Sequence, residues 1–264
     1  MSLRVTLLGT GGSAGVPQIG GPDGAGDWGT CDPTEPRNCR TRSSILLQGQ
    51  PGGALLVDTS PDMRAQLLAN RVPGVDCILF THSHADHVLG LDDVRALNRI
   101  AGRPLNAYGT PSTLDELQAR FAYVFRPWVP PGFFRPVLVA SPIAPGETIA
   151  VAGMDITVFD QDHGFTRSLG LRCGGFGYST DVVELDEAAF AVLEGVDTWV
   201  VGCFQLKPHR THAWLGRIYE WANRLRPRRI VLTHMGSEMD YHWLQSNLPP
   251  GIEPGFDGQV LDIA

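Results

Sequence analysis

At 264 residues, 43% of them hydrophobic, the chain is long enough for one well-buried α/β domain or a pair of small ones, and its composition excludes disorder as an overall state. A formal net charge of −7 gives no general attraction to nucleic acid, whose non-specific binding rests on phosphate neutralisation by Lys and Arg, so a small substrate is expected and stable nucleic-acid binding is not. No run of about eighteen apolar residues offers a membrane span, and no secretory leader pattern opens the chain, so a cytoplasmic protein is expected.

In chain order, a first strand is predicted at 5–8, followed by a loop-rich segment at 17–42 and strands at 45–47, 55–57 and 78–80. A helix is predicted over 88–98, where Val88, Leu91, Val94 and Leu97 recur every three residues. The segment 121–145 breaks this rhythm: Phe121, Tyr123, Phe125, Trp128, Phe133 and Phe134 stand among prolines, as in a lid over a substrate or a compact surface loop. Beyond it come predicted strands at 156–159, 169–173, 177–179, 199–201 and 230–233, with helices near 187–193 and 213–225. The pattern predicts layers of helix and sheet within one domain over 1–264, with chemistry on the loops at strand ends. Cysteines at 31, 39, 77, 173 and 203 form no disulfide framework and read as free thiols, mostly buried.

The densest signal is Thr81-His82-Ser83-His84-Ala85-Asp86-His87, three imidazoles and a carboxylate directly after an apolar strand. Core packing does not call for such a density of ligands, whereas imidazole nitrogen and carboxylate oxygen suit zinc, manganese or iron. One ion needs three or four ligands, and the group is rich enough to share between two. Three further candidates also follow apolar strands: His163 after 156–159, Asp181 after 176–180 and His234 after 229–233. Singly, each reads more readily as a turn or hydrogen-bonding residue; together they form a set.

This set, His82-x-His84-x-Asp86-His87 with His163, Asp181 and His234, resembles the binuclear metal motif of the metallo-β-lactamase superfamily over nearly the whole chain. The resemblance implies a four-layer αβ/βα sandwich. It also implies two divalent metal ions, zinc or manganese, one on His82, His84 and His163 and the other on Asp86, His87 and His234, with Asp181 bridging. Further stretches, Leu8 through Pro17, Arg37 through Ser44, Asp58 through Asp62 and His209-Arg210-Thr211-His212-Ala213, are similar to the PhnP-like phosphodiesterase branch. That branch resembles tRNase Z without its protruding RNA-binding arm, and the resemblance implies a small, cyclic phosphodiester substrate of the phosphoribosyl or nucleoside kind and a homodimer. PhnP-like enzymes often carry a structural zinc on cysteines in the region matching 17–42. Here only Cys31 and Cys39 are present, too few for a tetrahedral site, and they read as ordinary thiols.

Paired cations lower the pKa of a bridging water to give hydroxide near neutral pH and neutralise a phosphate oxygen. The departing alkoxide then needs a proton or positive charge. Asp86 and His212 are the expected catalytic residues, Asp86 through the metal and His212 as general acid. Thr211 reads as the N-cap of the helix near 213–225 and His212 as its first-turn residue; a structural histidine is the alternative for His212, and His209 reads as a neighbour. Asp58 fits the role of accepting the spare N–H of a ligand imidazole, or of a strand-end turn residue. The glycines of 9–15 permit close backbone approach, but no phosphate-loop or dinucleotide fingerprint is complete. Arg37, Arg40 and Arg42 pair either with substrate phosphate or with carboxylates. Two alternatives stand beside the phosphodiesterase: a protein like pyrroloquinoline quinone biosynthesis protein B, and an acyl hydrolase acting on a lactone or lactam.

Overall fold

The computed structural model describes residues 2–49 and 52–263. Two seven-stranded sheets lie face to face, with helices on both outer surfaces. The first sheet contains β1 (Leu3–Gly9), β2 (Ser44–Gly49), β3 (Gly53–Val57), β4 (Cys77–Leu79), β5 (Leu105–Gly109) and β6 (Leu138–Pro142), paired in that order, with β14 (Val260–Ile263) on the far side of β1. β1 to β3 are antiparallel and β3 to β6 parallel. The second sheet runs β7 (Thr148–Val151), β8 (Met154–Asp162), β9 (Arg167–Cys173), β10 (Phe176–Ser179), β11 (Thr198–Gly202), β12 (Arg229–Thr233) and β13 (Ile252–Pro254), again in sequence order. Helices α1 (Met63–Ala69), α2 (Ala85–Val88), α3 (Val94–Ala101) and α4 (Pro111–Arg120) belong to the first half of the chain; α5 (Glu187–Leu193), α6 (Leu215–Leu225) and α7 (Tyr241–Asn247) belong to the second.

Three apolar clusters fill the spaces between these four layers. Side chains alternate across a strand, so a strand buried on both faces feeds two of them. In β2, Ile45 and Leu47 point into the space between the sheets, where they join Ile156, Val158, Leu171 and Tyr178, while Leu46 points the other way to join Leu97, Leu114 and Leu117. Cys77 and Leu79 of β4 face the inter-sheet core and Ile78 faces the helices. The third cluster seats Trp199, Val201 and Leu232 against Phe190, Ile218 and Trp221 of α5 and α6. Cutting one such buried leucine to alanine costs about 2–5 kcal/mol. The result is the four-layer αβ/βα sandwich.

Three expectations need correction. The helix predicted over 88–98 is broken: α2 stops at Val88, a 3-10 turn covers Leu89–Asp93, and α3 begins at Val94. Gly90 explains the break, because a Cβ there would lie 2.2 Å from the Ser60 carbonyl oxygen, and its N–H donates to Thr59 at 2.9 Å. The helix predicted from 213 begins only at Leu215, with Trp214 and not Thr211 at its N-cap, so His212 precedes the helix. The segment 121–145 is not all loop, since it ends in β6. Its earlier part is closed by Arg135, which donates to the carbonyls of Tyr123, Arg126 and Pro127, and by the stacked rings of Trp128 and Phe133.

Candidate metal centre

β10, β11 and β12 are parallel, and β8 runs in the same sense as β10 because antiparallel β9 lies between them. Parallel β3, β4 and β5 do the same in the first sheet. The carboxyl ends of these strands place Asp58, the 81–87 run, His163, Asp181 and His234 at one edge of the sandwich, as loops after parallel strands do in α/β folds generally. Three of these residues sit in the left-handed region, Asp58 at φ 65°, Asp181 at 46° and His234 at 52°. Such backbone costs about 1–3 kcal/mol per residue and gathers at functional sites.

The ligating atoms of His82, His84 and His163 form one group, and those of Asp86, His87, Asp181 and His234 another, each with all its atoms within 4.8 Å of one another. Asp181 stands between them. Its Oδ1 lies 3.2 Å from His234 Nε2, 3.5 Å from His163 Nε2 and 3.9 Å from His82 Nε2, while its Oδ2 lies 3.1 Å from His87 Nε2. Asp86 Oδ2 lies 3.2 Å from His87 Nε2 and 3.6 Å from His234 Nε2.

These short separations are not directed as hydrogen bonds: Nε2 of His82, His87 and His234 is buried without a hydrogen-bond partner. A buried polar atom left unmade costs about 1–3 kcal/mol, yet three are gathered around Asp181. Ring nitrogens left without hydrogen-bond partners beside carboxylates suit bound cations, and ligands about 2.0–2.2 Å from a tetrahedral ion lie roughly 3.3–3.6 Å apart. The donor set therefore fits divalent metal.

The other ring nitrogens show how the imidazoles are held. Asp58, fully buried, accepts from Thr81 N–H and Thr81 Oγ1, each at 2.8 Å, and from His87 Nδ1 at 2.7 Å. Thr81 Oγ1 thus points its hydrogen at Asp58, so in its 3.0 Å contact with His82 Nδ1 that nitrogen is the donor. His163 Nδ1 donates to the carbonyl of Thr211 at 2.7 Å, an acceptor only. In His82 and His87 the proton sits on Nδ1 and Nε2 has no hydrogen-bond partner; in His163 Nδ1 is likewise the donor while Nε2 lies 3.3 Å from His84 Nδ1, the tautomers being assigned from these partners. Burial, reinforced by His87, holds the His82 imidazole well below its ordinary pKa. Burial also opposes a charge on His87, but Asp181, Asp86 and Asp58 outweigh it and push that ring well above its usual range. Three carboxylates around one ring mark a place that calls for positive charge.

His212 reaches the same place from the loop before α6. Its Nδ1 lies 3.8 Å from Asp181 Oδ1, and its ring stacks on His234 at 4.8 Å between centroids. Burial, with the neighbouring His234, brings its pKa down to about 3, so the ring is neutral at pH 7. Thr211 serves His163 through its carbonyl, and His209 packs against Phe204 and His212. A hollow of about 320 Å³ opens onto these groups, lined by Ser13, His84, Asp86, His163, Phe165 and His212 among others. Residues 121–145 contribute nothing to its lining. The aromatic that lines it is Phe165, and a single aromatic beside Gly164 carries no signal of a site in the sequence.

The glycine loop does approach the site: a Cβ on Gly12 would fall 3.0 Å from the Phe204 ring and 3.5 Å from His234 Cε1. The arginines are held by other partners, although Arg42 Nε also lies 3.4 Å from the carbonyl oxygen of Ser13, which lines the hollow. Arg37 pairs with Glu35 at 2.6 Å and Arg42 with Asp62 at 3.1 Å, while buried Arg40 donates to the Met239 carbonyl at 2.7 Å. Cys31 is buried with Sγ 3.3 Å from the Ser237 carbonyl oxygen, Cys39 is exposed, and neither joins a group of potential metal ligands among the described residues.

The sandwich and its ligand-lined edge are of the metallo-β-lactamase kind. A family model described as the Beta-lactamase superfamily domain matches residues 54–235. The crystal structure of a new diphosphatase from the PhnP family superposes with a TM-score of 0.87 at 31% sequence identity, covering 100% of this chain and 98% of that one. The chain belongs to the beta-lactamase superfamily and, within it, to the PhnP family. An octanoyltransferase of Porphyromonas gingivalis (strain ATCC BAA-308 / W83) is 30% identical over 258 residues, 97% of this chain but 51% of that protein. A coenzyme PQQ synthesis protein B of Methylobacterium radiotolerans is 32% identical over 126 residues, 44% of this chain and 40% of the relative. The chain spans about half or less of the length of these two curated relatives. Among the described residues no helix is long and apolar enough to cross a membrane.

Proposed function

We propose that the protein hydrolyses a small phosphodiester, cyclic and of the phosphoribosyl or nucleoside kind, at a centre of two divalent cations. His82, His84 and His163 would hold one, and Asp86, His87 and His234 the other, with Asp181 shared. The observation that carries the reading is the placing of Asp181, one carboxylate oxygen toward His82, His163 and His234 and the other toward His87. Imidazole and carboxylate in this mixture suit zinc or manganese. When bound, such a pair supplies a nucleophilic water of lowered pKa and positive charge for a phosphate oxygen.

The remaining work falls to the chain's own groups. Asp58 orients His87, and through Thr81 it also orients His82; the Thr211 carbonyl orients His163. Fixing these rings beforehand removes the cost of arranging them during reaction. His212 lines the hollow, 3.8 Å from Asp181, and offers a ring N–H to the phosphate or its departing oxygen. A neutral imidazole donates a hydrogen bond readily; full protonation requires the charge of the bound phosphate to raise its pKa. Exposed His84 and half-buried Asp86 leave this side open to substrate.

The PhnP-family relative, named as a diphosphatase, supports hydrolysis at phosphorus. The relative named as a coenzyme PQQ synthesis protein supports a second reading, a role in cofactor synthesis at the same centre. Metal-reconstituted protein assayed on bis-p-nitrophenyl phosphate, 2′,3′-cyclic nucleotides and a nucleoside diphosphate, beside a lactone and a lactam, separates the readings. Turnover of the phosphodiesters is expected. Brisk acyl hydrolysis with none on any phosphodiester overturns the proposal, and bound iron with no hydrolysis at all favours the second reading.

A further inference from the structure

The turn that delivers His163 also carries an apolar ring at its tip. His163-Gly164-Phe165-Thr166 joins β8 to β9 and is closed by three hydrogen bonds: His163 N–H to the Thr166 carbonyl at 3.0 Å, Phe165 N–H to the His163 carbonyl at 3.1 Å, and Gly164 N–H to Asp162 Oδ1 at 2.7 Å. Gly164 has φ 78°, and a Cβ there would fall 2.6 Å from Thr211 Cγ2, so the turn is pressed against the segment that carries His212. On this fixed support Phe165 is 91% exposed. A single exposed apolar residue is ordinary on a protein surface. This one is different in its place, because it lines the same hollow as His84, Asp86, His163, His212 and exposed Ser13.

The hollow is small, about 320 Å³ against the roughly 300–1,000 Å³ of ligand sites in general. A phosphate drawn to the His and Asp groups fills its floor, so whatever the phosphate is attached to must lie at the mouth. The flat apolar surface there belongs to Phe165, and stacking on an aromatic side chain tolerates any planar ring. We propose that Phe165 is a specificity residue that stacks on a flat ring of the substrate, and that the enzyme prefers phosphodiesters bearing a nucleobase or aryl group to those bearing only a sugar or alkyl chain. The inference rests on the phosphodiesterase reading above and narrows its substrate class.

The test compares wild type, Phe165→Ala and Phe165→Trp on 2′,3′-cyclic AMP and on glycerol 1,2-cyclic phosphate, which has no flat apolar ring. Phe165→Ala is expected to raise KM for cyclic AMP about 5- to 100-fold, with kcat within twofold, to leave the glycerol substrate unchanged, and to be rescued by Phe165→Trp. An equal effect on both substrates, or no effect on either, overturns the proposal. Calorimetric binding of AMP and ribose 5-phosphate to the metal-loaded proteins keeps the two readings apart. If wild type cleaves no phosphodiester, the functional reading fails, yet tighter binding of AMP than of ribose 5-phosphate, lost in Phe165→Ala, still upholds the stacking role. Equal binding of the two ligands by wild type overturns it.

Discussion

Asp58 is a carboxylate with no open face: its oxygens take two donors from Thr81 and one from His87, and it has no exposure to solvent. It acts on the centre only through those partners. Replacement of a group that orients a metal-bound imidazole typically lowers metal affinity 10- to 100-fold, and that loss is expected of Asp58→Asn, read as a shift in the zinc concentration that half-saturates the protein. His212 is expected to behave differently. His212→Ala should lower kcat by about 10²–10⁴ with metal content unchanged, and His212→Asn, which keeps an N–H donor, should recover part of the loss if the ring serves as a hydrogen-bond donor; equal activity of the two variants assigns it proton transfer instead. At this scale the 81–87 run is legible because its ligands are contiguous, and His163, Asp181 and His234 because each follows an apolar strand. The tautomers are not legible, since they depend on Thr81 reaching Asp58 and His82 at once.

Between residue and molecule, the segment 28–40 works as a strap over the loop that follows His234. Thr30 N–H donates to the Ser237 carbonyl at 2.9 Å, Arg40 to that of Met239 at 2.7 Å, and Asn38 both donates to Asp240 and accepts from Tyr241 N–H. Glu35 anchors the strap, accepting from Arg37 at 2.6 Å and lying 2.6 Å from His242 Nε2 across an ion-pair contact, and the Arg37 guanidinium and backbone N–H bring its carboxyl down to about 2. A depressed carboxyl pKa contributes stability that is present above the unfolded value near 4.5 and lost as pH falls toward 2. Denaturant melts of wild type should therefore weaken between those pH values, and Glu35→Gln should weaken less over the same window; parallel slopes for the two proteins would count against the anchor. Strongly periodic elements such as α5 and β12 are legible in sequence, whereas β5, β13 and β14 are not. Leu105–Gly109 and Ile252–Pro254 carry no apolar run, and pairing with neighbours far along the chain makes them strands. The 88–98 periodicity is genuine but is interrupted at Gly90 by the approach of Ser60, which local pattern does not reveal.

Across the whole molecule, the two sheets meet along an apolar core and share one edge, to which the first sheet's loops bring Asp58 and 81–87 and the second's bring His163, Asp181, His212 and His234. Ions bound there tie the two sheets together, and anything that binds only the folded state stabilises it by mass action. At a hundredfold excess over Kd each ion contributes about 2.7 kcal/mol, so removal of both by chelation is expected to lower Tm by roughly 10–20 °C, measured by thermal melts with and without chelator. The α/β layering is legible from the alternation of elements, and the four-layer sandwich from the resemblance carried by the ligand motif. The most direct measurement is metal stoichiometry by plasma mass spectrometry after reconstitution with zinc or manganese and removal of free ions. Two equivalents per chain are expected for wild type and at most one for Asp181→Ala; a wild-type chain that retains less than one equivalent, or an Asp181→Ala chain that still retains two, contradicts a paired-cation centre built around Asp181.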